Sequence, residues 1–267
     1  MQKVYNVYFP KKGELNLNSM KYLLPIIVSL FLLSCKQQKT DKISVENIID
    51  QSITMSGGKL IASSIIDFDF RDIHYKATRN NGVFQFERQF KDSINLINDV
   101  LSNKGFKRFV NNQEIKVADS MIPLYSASVN SVHYFSVLPF GLNDTAVNKE
   151  LLADVTIKNK KYRTIKVTFN PDGGGEDFED VFIYWINTET LKPDYLAYSY
   201  NESDGKGIRF REAYNERNIN SIRFVDYNNY KPEDAAIPLT DLPGLFENGS
   251  LKLLSKIKLE NIAVLPN

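Results

Sequence analysis

Apolar and polar residues alternate along most of this chain with the two-residue period of a strand, most densely between Lys160 and Tyr214. Four runs there, KYRTIKVTF, EDVFIYWIN, DYLAYSY and IRFREAY, are rich in β-branched and aromatic residues. Turn-forming residues at Asn170 to Gly175, Asn187 to Thr190 and Asp204 to Gly207 separate them, which predicts an antiparallel meander. Val181 to Ile186 is apolar at consecutive positions, so both faces of that strand need cover. One face calls for the core, the other for a further layer or a ligand.

Upstream, Ile66, Phe68 and Phe70 alternate with Asp67, Asp69 and Arg71, and Ile73, Tyr75 and Ala77 continue in the opposite phase. That flip predicts a bulge or bend near Arg71-Asp72. Asn80-Asn81-Gly82 predicts a tight hairpin, after which Phe84, Phe86 and Phe90 return on one face. Further strands are expected at about Asn95 to Ser102, Phe106 to Val110 and Gln113 to Val117. After the meander come a strand at Asn220 to Tyr227 and a polar, Pro-containing excursion from Lys231 to Gly249, with one helical turn at Leu242 to Glu247. Leu251, Leu253, Ile257 and Leu259 alternate with charged residues in a final strand.

Two stretches have helical spacing instead. Ser44 is placed to cap a helix carrying Val45, Ile48, Ile49, Ser52, Ile53 and Met55 on one face, and Gly57-Gly58 stop it. Asp119 to Phe135 carries Met121, Leu124, Tyr125, Val129, Val132 and Phe135 at helical spacing and is broken by Leu138-Pro139-Phe140-Gly141. It either covers the sheet or acts as a lid over a cavity, and the covering role is favoured. The fold expected is mainly β, of the α+β class: a single curved antiparallel sheet, or half-open β-barrel, of about a dozen strands with helices on its concave face.

Composition narrows the function. The chain has 267 residues, 43% hydrophobic and 24% charged, with a net charge of +1, which is ordinary globular composition and not that of a nucleic-acid binder. A monomer is expected. A single cysteine excludes an intramolecular disulfide. Met20-Lys21, a short apolar run from Leu23 to Leu33, and Ser34-Cys35 have the shape of a secretory signal, too short to span a membrane. Leu32-Leu33-Ser34-Cys35 resembles a bacterial lipobox, which implies cleavage between Ser34 and Cys35 and acylation of Cys35 with palmitate-type chains. Residues 1–34 are then leader and signal, with Met1 to Ser19 a misassigned start or an inert leader. Residues 35–42 form a tether and residues 43–267 one domain.

Candidate chemistry is sparse. His74 and His133 would have to converge to make a metal or acid–base site, and a structural role is favoured for each. Asp172, Glu176, Asp177, Glu179 and Asp180 cluster around Gly173-Gly174-Gly175 without the spacing of a calcium loop. No metal and no cofactor are expected. Arg88 and Arg163 share strand phases with apolar residues and could meet a lipid headgroup, although snorkelling to water is favoured. Ser93, Ser120 and Thr145 lie in short Asp-Ser/Thr-apolar triplets that resemble an O-glycosylation motif. No nucleophile elbow, zinc-protease or phosphate-loop motif is present.

The meander, read as KNKKYRTIKVTF, VFIYWINTETLKPDYLAYSY and GKGIRFREAYN, resembles the Lol-type lipoprotein carriers, half-open barrels whose mouth is plugged by helices. HYKATRNNG, GGGEDFEDVFIYWIN and RFREAYN resemble, over about residues 43–264, an envelope lipoprotein family of unknown function in Bacteroidetes-type bacteria. Together these imply a non-enzymatic lipoprotein held through lipidated Cys35 at the outer membrane, on its periplasmic face. By analogy they imply a cavity for lipid or the acyl chains of another lipoprotein, lined by Leu124, Tyr125, Val129, Val132, Phe84, Phe86 and Trp185. A filled barrel acting as an interaction module, and an envelope enzyme, are the alternatives.

Overall fold

The computed structural model describes residues 44–175, 178–202 and 205–267. The expectations for the leader, for Ser34 and Cys35 and for the tether lie outside these residues, as do Glu176 and Asp177 of the acidic loop.

The domain opens with helix α1, Val45–Met55, where the Ser44 hydroxyl accepts from the Asn47 amide at 3.4 Å. Ile48, Ile49 and Ser52 are buried while Met55 turns to water. Gly57 adopts a φ of 91°, a left-handed conformation that lets the chain restart as the short α2, Gly58–Ile61. Six strands follow in simple up-and-down order: β1 Ser63–Phe70, β2 Ile73–Asn80, β3 Val83–Asp92, β4 Asn95–Ser102, β5 Gly105–Val110 and β6 Gln113–Ile115. The phase flip at Arg71-Asp72 is a two-residue hairpin, not a bulge or bend. Arg71 is left-handed at φ 56°, Phe68 sits opposite Tyr75, and Ile66 sits opposite Ala77.

Helix α3, Ile122–Ser136, interrupts the strands as expected, entered by a 3₁₀ turn at Asp119–Met121. The chain then builds β7 Val147–Leu151, β8 Val155–Ile157, β9 Lys160–Phe169, β10 Val181–Asn187, β11 Pro193–Glu202, β12 Gly205–Ile219 and β13 Ile222–Lys231. After the short helix α4, Leu242–Glu247, come β14 Lys252–Ile257 and β15 Glu260–Pro266. Strands β7, β8 and β15 have no counterpart in the sequence reading, and the expected last strand is β14.

These strands form two antiparallel sheets, not one. Seven run in the order β15-β1-β2-β3-β4-β5-β6 and eight belong to the second, β14-β13-β12-β11-β10-β9-β7 with β8 beside β9. The pair is curved and not closed, a mainly β half-open barrel. The break at Lys258-Leu259 carries the chain from one sheet to the other, and a buried carboxylate secures it. Asp226 accepts from the Leu259 amide at 3.1 Å, from Arg217 at 2.8 Å and from Asn215 at 2.7 Å.

Strand β10 is buried on both faces, and the second cover is a protein layer. Phe182, Tyr184 and Ile186 join α1 and the α3–β7 connection in one cluster, through Ile49, Leu138 and Leu142. Ile183 and Trp185 point the other way and pack with Phe210, Leu242 and Phe246 beneath α4. A third cluster, with Ile66, Phe68 and Tyr75, fills the inner side of β1 and β2.

Candidate functional site

Helix α3 divides the interior unequally. Towards the seven-stranded sheet it is packed tight, with Val129 and His133 buried completely. The His133 ring lies among Phe68, Tyr75 and Phe86, at centroid distances of 5.8, 5.5 and 4.7 Å. Its Nε2–H donates to the Glu87 carbonyl at 3.0 Å, while Nδ1 has no partner. Burial pulls its pKa down to about 3, so the ring is neutral. Arg79 lies over Phe86 at 4.7 Å, and burial lowers its pKa to about 10. Further along, Asp99 has no exposed side chain and holds both Arg88 and Arg108, with Tyr125 of α3 lying 3.7 Å from the Arg108 guanidinium.

Towards the eight-stranded sheet the helix leaves space. A cavity of about 470 Å³ lies between Ser131, Val132 and Phe135 of α3 and the inner faces of β11 to β14. Tyr198, Arg211, Val225, Tyr227 and Ile257 supply the sheet wall, with Phe70 and Leu259 at the junction with the other sheet. A second space of about 320 Å³, under Ala127, Tyr134, Phe169 and Phe182, shares Ser131, Phe135, Asp180 and Tyr198 with the first. Most of these groups are rings or aliphatic chains. Tyr134 and Tyr184 hydroxyls meet at 3.2 Å deep in the wall, and burial raises the Tyr134 pKa to about 12.

Of the residues expected to line a cavity, Val132 does. Leu124 does not: it is 62% exposed on the first turns of α3. Tyr125 and Val129 are spent on packing against the seven-stranded sheet and its arginine. Phe86 stacks on His133, and Phe84 rests against Phe86 at 4.6 Å, both away from the cavity. Trp185 faces outward beneath α4, 1% exposed.

His74 and His133 do not converge. His74 is at the surface with Asp67 and Asp69, on the face of β2 opposite Tyr75. Arg88 is committed to Asp99 and Arg163 to Asp154. No group of acidic, histidine or cysteine side chains suited to holding a metal ion occurs among the described residues. Ser93, Ser120 and Thr145 are all exposed. The charged residues that the sequence reading missed are Arg209 and Arg211, which enter the cavity wall from β12.

No helix among the described residues is long and apolar enough to cross a membrane. Similar solved structures include a LolA superfamily protein of Nitrosomonas europaea, 10% identical with a TM-score of 0.47, over 84% of this chain and 92% of that one. A DUF1329 family protein of Desulfovibrio piger is 9% identical with a TM-score of 0.40, over 82% and 92%. Lipoprotein LppX of Mycobacterium tuberculosis is 11% identical with a TM-score of 0.27, over 61% and 92%. No curated protein matches the chain in sequence. A family model does match, over residues 21–260, and the chain belongs to that family of unknown function, DUF6503.

Proposed function

We propose that this protein is a non-enzymatic outer-membrane lipoprotein whose half-barrel holds an apolar ligand, either free lipid or the acyl chains of another lipoprotein. The observation that carries this reading is the space of about 470 Å³ between α3 and the inner face of the eight-stranded sheet. Its size lies within the ~300–1,000 Å³ of small-molecule sites, and its wall has their composition, mostly apolar with a few polar groups. Lipidated Cys35 ties the domain to the membrane through the tether of residues 35–42, as the lipobox-like Leu32-Leu33-Ser34-Cys35 supports.

Native mass spectrometry of the mature protein, released from its own membranes, tests the cavity. A co-purified lipid lost on gentle activation is expected. Bare protein that takes up no added lipid would leave an interaction module instead. The anchor is tested separately, since Cys35→Ser should leave an uncut precursor that incorporates no labelled fatty acid. Acylation that persists in that variant would exclude Cys35 as its site.

A further inference from the structure

Arg211 is 8% exposed and borders the cavity. A guanidinium taken out of water is costly unless its donors meet acceptors, above all charged ones. Other arginines of this chain have a carboxylate: Arg88 and Arg108 share Asp99, Arg217 has Asp226, and Arg223 has Glu216, although its own Nη1 is left without an acceptor. Arg79 lacks a carboxylate too, but it lies against the Phe86 ring, away from this cavity. Arg211 pairs with no carboxylate among the described residues. Its Nη2–H donates to Tyr198 Oη at 2.7 Å, and its buried Nε–H has no acceptor at all.

The surroundings hold this group in place without satisfying it. Phe135 and Tyr198 lie 4.0 and 5.0 Å from the guanidinium and fix its plane. Because Tyr198 Oη receives a hydrogen from Arg211, the phenol's own hydrogen points elsewhere. Arg209, two residues away on the same face of β12, borders the cavity as well. Two arginines and one aspartate, Asp180, therefore stand around a space walled otherwise by Ser131, Ser136 and Asn201 and by apolar groups such as Val132, Val225 and Ile257.

The geometry points to an amphiphile with one acyl chain and an anionic head as the ligand. The head accepts from the edge of the Arg211 guanidinium that borders the cavity and from Tyr198 O–H, and the chain lies along the apolar wall. A fatty-acid carboxylate and a lysophosphatidate phosphate share this chemistry. The assignment rests on the lipid-cavity reading above, and it adds a charge to that ligand.

Three photoreactive probes with one tail separate the cases: hexadecanoic acid, hexadecanol and hexadecanoyl lysophosphatidate, each with a diazirine near the chain end. They are titrated against the full chain in nanodiscs, with empty discs as the blank. The readout is the concentration giving half-maximal labelling of peptides from α3 and β11 to β13. At least one anionic probe is expected to label at about tenfold lower concentration than the alcohol. Arg211→Gln should abolish that ratio, and whichever anion labels at the lowest concentration identifies the head. No labelling by any probe sinks the cavity reading itself. Equal labelling by all three, unmoved by Arg211→Gln, overturns the anionic head and leaves an apolar cavity. If Arg211→Gln unfolds the domain, Tyr198→Phe decides: it should cut the anion-to-alcohol ratio severalfold, and an unchanged ratio overturns the assignment.

Discussion

On the seven-stranded sheet, Arg88 and Arg108 close on one carboxylate, Asp99, whose side chain has no exposed surface. Across α3, on the eight-stranded sheet, Arg211 is buried to a similar depth and meets only rings and a phenol. Both sites face the same helix. On the first side Arg88 and Arg108 are neutralised, Arg79 is covered by the Phe86 ring, and His133 fills the interior among three rings, so no ligand is needed to complete the packing. On the second, the sheet stands off the helix, and a guanidinium without a carboxylate borders the space between them. Within one fold, then, the Asp99 cluster marks the side that holds α3, where Arg79 is also buried but faces rings and no space, and an arginine without a carboxylate beside open volume marks the side with room for a guest.

The largest test of this contrast is Asp99→Asn. It removes the charge that compensates two buried guanidinium groups, so a loss of about 3–5 kcal/mol is expected in urea unfolding at pH 7. A loss under about 1 kcal/mol would mean that water reaches those arginines, and the two sides would no longer differ.

His133 gives a smaller, pH-dependent effect on the same side. Its folded pKa is about 3 against 6.5 for an ordinary histidine. The unfolded chain therefore takes up the proton first as pH falls. The stabilisation is complete above 6.5 and is lost progressively down to about 3, at about 1.4 kcal/mol per pH unit. Between pH 7 and pH 5 the native protein should lose about 2 kcal/mol more than His133→Gln, followed by denaturant titration at each pH. Equal losses would place His133 in contact with solvent.

The consecutive hairpins β1 to β5 and β9 to β12 could be read from the sequence because turns there are chemically explicit, as at Asn80-Asn81-Gly82, but the pairing of β15 with β1 and the division into two sheets could not. Helix α1 was equally plain, bounded by Ser44 and Gly57. The lining of the cavity was not, and the reason is that β10 and its neighbours are covered on both faces. When Tyr184 and Trp185 are both buried, alternation cannot tell the inner face from the outer. Trp185 therefore fell on the wrong side. Arg211 alternates with Ile208 and Phe210, which by ordinary amphipathic logic points it to water. Here Phe210 goes beneath α4, and the arginine is turned inward. Leu124 shares a helical face with Ser131 and Phe135 but sits near the start of α3, in solvent. The lipobox-like Cys35 could be read from the sequence alone, for it depends on local order and not on packing.

The smallest expected change sharpens the comparison most. Arg211→Met keeps the length and most of the volume of the stem while removing the guanidinium. In lipid-free protein this loses the contact with Phe135 and one hydrogen bond to Tyr198, roughly 1–3 kcal/mol together. It also removes a buried charge with no charged partner, which relieves a desolvation penalty on the order of a few kcal/mol. The two effects nearly cancel, so unfolding should fall within about 1 kcal/mol of the native protein. Arg88→Met, which takes a partner from Asp99, should be clearly less stable in the same experiment. If Arg211→Met instead costs as much as Arg88→Met, then Arg211 is part of the packed core. Arg211 would then be as much a packing residue as Arg88, and the contrast between the Asp99 cluster and the cavity wall would fail.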